Sequence, residues 1–159
     1  MEPLAPDAAF HLLSKDESIA WETLAISRQA QTFFDAEVSL PNIVSSPTFA
    51  VNVAAVGGSP TRVMVQVARR EEAPEVLAAA ERGVAAIGGA GFDVLVARAK
   101  LVVQIGREVE GDPRAPLVLA AVLASVLLAP IVPPDETTIY GVRGARTRLA
   151  ARGWPQSAA

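Results

Sequence analysis

The chain has 159 residues, of which 51% are apolar, 19% charged and 5% aromatic, and its net charge is −3. That length suits one domain with a real core, and the apolar share excludes a chain disordered throughout. The absence of cysteine excludes disulfides, thiol catalysis, zinc ribbons and iron–sulfur clusters.

The N-terminal stretch MEPLAPDAAFHLL carries Glu2 and Asp7 and has no basic region ahead of a long apolar run. It lacks the form of a signal peptide, so a cytoplasmic protein is expected. Ser14-Lys15-Asp16-Glu17 has the form of a capping box and predicts a helix over about 15–31, with Ile19, Thr23, Ile26 and Ala30 at helical spacing. Phe34, Ala36, Val38 and Leu40 then alternate with Asp35, Glu37 and Ser39, the pattern of a half-buried strand. Residues 1–40 are read as an N-terminal helical extension with this strand, integral to the fold or partly loose, and 41–159 as a single α+β domain.

Two further alternating runs flank Gly57-Gly58-Ser59-Pro60. Phe49, Val51 and Val53 share a face in the first, and Val63, Val65 and Val67 point inward in the second, with Arg62 and Gln66 outward. This predicts a β-hairpin. Pro74 near a first helical position, with Glu71 and Glu72 ahead of it, predicts a helix that stops at Gly88-Gly89. Phe92 to Ile105 reads as a strand, clearest at LVVQI.

From Leu117 to Ala129 the chain is apolar all round, which suits a helix buried on every side or one within a membrane. A spanning helix needs about twenty apolar residues. The run is shorter than that, Pro130 interrupts it, and no aromatic belt or lysine cluster flanks it. Burial against a sheet is therefore expected. Leu117, Leu119, Val122 and Val126 are candidate interface residues if one face of this helix stays uncovered. Thr137 to Val142 suggests a short last strand and Arg146 to Arg152 a short helix, with Trp154 packing back on the body. The whole reads as an α+β fold. Its sheet is antiparallel or mixed and contains a β-hairpin, and two to three helices pack on it in a two-layer sandwich.

Four segments carry a resemblance to a known family: AAAERGVAAIGGAGFD, ARAKLVVQI, EGDPRAPLVLAAVLAS and VPPDETTIYGVRG. From about residue 48 to 148 the chain resembles the ribosomal protein S5 domain 2-like fold. Within that fold it is similar to the Lon-protease-like domains, including the N-terminal domain of magnesium-chelatase-like ATPases. The resemblance implies a catalytic serine in the loop before the apolar helix and a lysine beyond it, because a serine hydroxyl needs a base to take its proton. The loop here reads Gly111-Asp112-Pro113-Arg114-Ala115-Pro116, and the only lysines are Lys15 and Lys100. The dyad is absent, so the resemblance implies a degenerate, non-catalytic member.

Other chemistry is sparse. There is no GxxxxGK[ST] phosphate loop, and no cofactor or metal is implied. His11 is the only histidine and reads as structural or solvent-exposed. Glu108, Glu110 and Asp112 alternate in a polar loop, where carboxylates do acid–base work, bind a hard cation or simply face solvent.

Charge is uneven along the chain. Residues 1–37 hold seven acids and two bases, whereas 139–159 hold four arginines and no acid. Those arginines, Arg143, Arg146, Arg148 and Arg152, are the candidate partner or anion contacts. Bridges to the acidic N-terminal helix are an equal reading of them. The sequence therefore favours a non-catalytic binding or scaffold protein acting through self-association or a protein partner. The alternatives are a nucleic-acid accessory protein using the arginines and a small enzyme using the loop carboxylates.

Overall fold

Alternation between residues 36 and 69 builds one half of the molecule. The computed structural model describes residues 6–41, 44, 47–106 and 110–155. Strands β2 (Ala36–Ser39), β3 (Thr48–Ala55) and β4 (Thr61–Arg69) run antiparallel, and Val51 pairs with Val63 across the predicted hairpin. Strands β1 (Ala9–Ser14), β5 (Leu101–Gly106) and β6 (Ile131–Val132) complete an antiparallel sheet of order β2-β3-β4-β5-β1-β6.

Helices α1 (Thr23–Phe34), α4 (Ala115–Leu127) and α5 (Val142–Ala151) cover one face of the sheet. Helix α4 touches the sheet and is flanked by α1 and α5, which explains its apolar character all round. Its thirteen residues are short for a span, and among the described residues no helix is long and apolar enough to cross a membrane. Helices α2 (Pro74–Ala86) and α3 (Phe92–Arg98) lie on the other face, where Val76, Leu77, Ala80 and Val96 pack on Leu13, Ala68 and Val102. A Cβ at Gly83 would run into the Thr138 carbonyl, so glycine there lets α2 sit directly on the chain beside β6.

The α+β fold, the antiparallel sheet and the hairpin are as the sequence predicts. The two-layer arrangement applies to the β2–β3–β4 half, whereas α2 and α3 add a third layer over β5, β1 and β6. Among the described residues five α-helices form rather than two or three. Residues 9–40 are built into the same core as the rest: β1 sits between β5 and β6, and Ile26, Ala30 and Phe34 of α1 join the α4 cluster.

Several local expectations are corrected. The helix expected over 15–31 begins only at Thr23, because Ser14 closes β1 and its Oγ accepts the Asp16 N–H at 3.2 Å. That is a local turn that mimics a helix cap. The strand expected over 92–105 is two elements. Asp93 in the first turn and Arg98 in the last suit the dipole of α3, and the strand itself begins at Leu101. The expected strand over 137–142 reduces to one bridge, Ile131 to Tyr140, with Ile131–Val132 forming the strand instead. Trp154 does pack back: it is 2% exposed, and its indole N–H donates to the Phe34 carbonyl at 2.6 Å.

Candidate functional site

The C-terminal arginines divide into two pairs. Arg148 binds Glu136 with two charge-assisted hydrogen bonds, Nε to Oε1 at 2.7 Å and Nη2 to Oε2 at 2.8 Å. Its guanidinium lies 3.9 Å from the Tyr140 ring centroid. Arg152 reaches Asp135 at 3.4 Å. Both partners lie in the segment after β6, not in α1 as the acidic N-terminus had suggested. The pairs fasten α5 to that segment. Arg148 holds the Glu136 carboxyl below the usual carboxylate range, and burial pushes the Tyr140 hydroxyl up. Arg143 and Arg146 have no ion-pair partner among the described residues. Because Glu136 is exposed and Arg148 partly so, solvent screens the pair, and Glu136→Gln is expected to lower stability by about 1 kcal/mol, read as a small shift in the urea midpoint.

The loop before α4 is organised by Asp112 and Arg114. Arg114 donates Nε to Oδ1 at 2.9 Å and Nη2 to Oδ2 at 2.7 Å, and its guanidinium lies 4.9 Å from the Trp154 ring centroid. The Asp112 amide donates to Thr61 Oγ1 at 2.9 Å. Gly111, at φ +108°, lies so close to Thr61 that a side chain there would collide with it. Asp112 is held below its ordinary value by the Arg114 hydrogen bonds, so it is an ionised anchor rather than an acid or base poised near neutrality. Glu110 is exposed, and Glu108 lies outside the described residues.

His11 is fully buried on β1, between Gln104 of β5 and Val132 of β6. Its Nε2 lies 3.1 Å from Gln104 Oε1, an atom that can only accept, so Nε2 carries the proton. Nδ1 has no hydrogen-bond partner among the described residues. Desolvation lowers the His11 pKa to about 4, against weaker opposing effects of Gln104 and the Ala9 backbone. No group of three metal-ligating side chains exists among the described residues.

The interface residues expected on α4 are used inside the chain. Leu117, Leu119 and Val122 are 0% exposed, packed between the sheet, α1 and α5, and only Val126 near the helix end keeps some surface. The open surface lies elsewhere. On the face that α2 and α3 leave bare, β2, β3 and β4 present Glu37, Ser39, Ala50, Asn52, Arg62 and Met64, with Met64 44% exposed. Alternation in the sequence marks Glu37, Ser39 and Arg62 as outward-facing. It carries no sign that they share one uncovered face, because that depends on where two distant helices stop. A separate cleft of about 310 Å³ lies between Pro6, Ala79 and Val132, but two of its wall carboxylates, Asp135 and Glu136, are already paired with arginines.

No family model, curated protein or solved structure matches this chain.

Proposed function

We propose that the protein is a non-catalytic cytoplasmic scaffold that works by associating with further copies of itself. The observation that carries this reading is the asymmetry of the sheet. Its β5–β1–β6 half is covered on both faces, whereas its β2–β3–β4 half offers one face with an exposed methionine among small and polar residues. Methionine is unbranched and adapts to a partner surface. The titratable groups add support. His11, Asp112 and Glu136 are displaced downward, and Arg114, Arg148 and Tyr140 upward. Each therefore keeps one charge state near pH 7, which suits structural anchoring better than proton transfer. The test is solution mass by light scattering across a concentration series, at low and high salt. A dimer or larger closed assembly is expected, and a monomer up to the sub-millimolar range would remove the proposal.

A further inference from the structure

We infer that two copies of this chain pack through the bare faces of β2, β3 and β4, about a two-fold axis running along β3, with Glu37 of each copy opposite Arg62 of the other. This rests on the self-association proposed above and specifies its contact. Among the open residues of this face Glu37 is the acid and Arg62 the base, and the others are uncharged. Neither Glu37 nor Arg62 has an ion-pair partner among the described residues. They stand on opposite sides of β3, Glu37 on β2 beside Ala54, and Arg62 on β4 beside Asn52.

A two-fold contact requires a surface complementary to itself. Rotation about an axis along the middle strand exchanges the β2 and β4 sides, so the acid of one copy comes to lie over the base of the other. The two positions are offset by one row, about 7 Å along the strand, and stacked sheets lie about 10 Å apart. Glutamate and arginine side chains together span that separation. Ala50 and Asn52, both on β3, fall on the axis and meet their own counterparts. Alanine there allows close approach, and the paired asparagines can each donate and accept. The same rotation brings Met64 over the end of the partner's β2. This half of the sheet thereby gains a layer over its second face, as α2 and α3 supply to the other half.

The test is a charge exchange. Glu37→Arg and Arg62→Glu each place like charges together twice in the dimer and are expected to weaken dimerisation about a hundredfold by sedimentation or light scattering. The double variant, Glu37→Arg with Arg62→Glu, restores opposite charges and is expected to return dimerisation to within a few-fold of the original. Both positions are exposed, and circular dichroism checks that each variant is folded.

A second measurement uses the absence of cysteine in the chain. Asn52→Cys on the axis is expected to oxidise to a disulfide-linked dimer, as facing sheets are bridged in immunoglobulin domains, while Thr147→Cys on α5 is not. A dimer indifferent to the single reversals, or one that the double variant fails to restore, would overturn this contact and leave self-association standing. An original chain that is monomeric would overturn both.

Discussion

Leu119→Ala is expected to lower the stability of the protein by about 3–4 kcal/mol, within the range for fully buried leucines. The side chain is 0% exposed and sits in the middle of α4, the helix enclosed by the sheet, α1 and α5. Removing its outer carbons loses their transfer free energy and leaves a cavity. The surroundings can collapse only partly, because helices on two sides and strands beneath fix the walls. Urea unfolding at constant slope measures the change. Val126→Ala is the internal comparison: it lies on the same helix near its end, where the chain is partly solvated, and about 1 kcal/mol or less is expected there. A loss at Leu119 no larger than that at Val126 would mean that α4 is not enclosed as described. It would also reopen α4 as a surface for partners, which its present burial argues against.

The same helix shows what the sequence could tell. A run from Ala115 to Leu127 that is broken only by Ser125 and is too short for a span suits burial on every side, and eleven of its thirteen residues are buried. The hairpin was equally legible, because period-two alternation on both sides of a glycine-rich turn leaves little choice of register. Strand β1 was not legible. All six of its residues are buried, facing both helical layers, so AFHLLS shows no alternation by which to recognise a strand. Its last residue, Ser14, then imitated a helix start. In both places the missing information was long-range: a strand inserted between β5 and β6 is defined by partners some ninety and one hundred and twenty residues away.

The candidate surface follows the same logic. The arginines were visible as a cluster, but the sequence did not indicate that Glu136 and Asp135 would occupy two of them, since those acids arrive through the turn after β6. What remains free on the sheet, Glu37 and Arg62 around Asn52, is ordinary in sequence. It becomes notable only when the helix layer on that side ends short of it. The proposed scaffold function therefore rests on what the fold leaves uncovered, not on a motif.

The second large effect is a response to acid. His11 is expected to cost the folded protein about 3 kcal/mol of stability as pH falls from 7 to 4. Its folded pKa is about 4, against an ordinary value of 6.5. The unfolded chain therefore binds a proton between these values that the folded chain does not. The contribution of neutral His11 is complete above pH 6.5, is lost progressively as pH falls from there toward 4, and changes no further below that. Each unit of displacement corresponds to about 1.4 kcal/mol, which sets the size.

The geometry behind this loss is specific. Nε2 is committed to Gln104, and Nδ1 makes no hydrogen bond among the described residues, so a second proton would be a charge buried away from water whose cost Gln104 and the Ala9 backbone offset only in part. The strain would fall on the junction of β1 with the two-residue strand β6. His11→Gln removes the titration while keeping a polar side chain beside Gln104. Whatever its stability at pH 7, its unfolding free energy is expected to fall by about 3 kcal/mol less than that of the original chain between pH 7 and 4. Parallel stability curves for the two proteins across that interval would show that His11 is not buried as neutral imidazole, and that β1 is more open to water than its place inside the sheet implies.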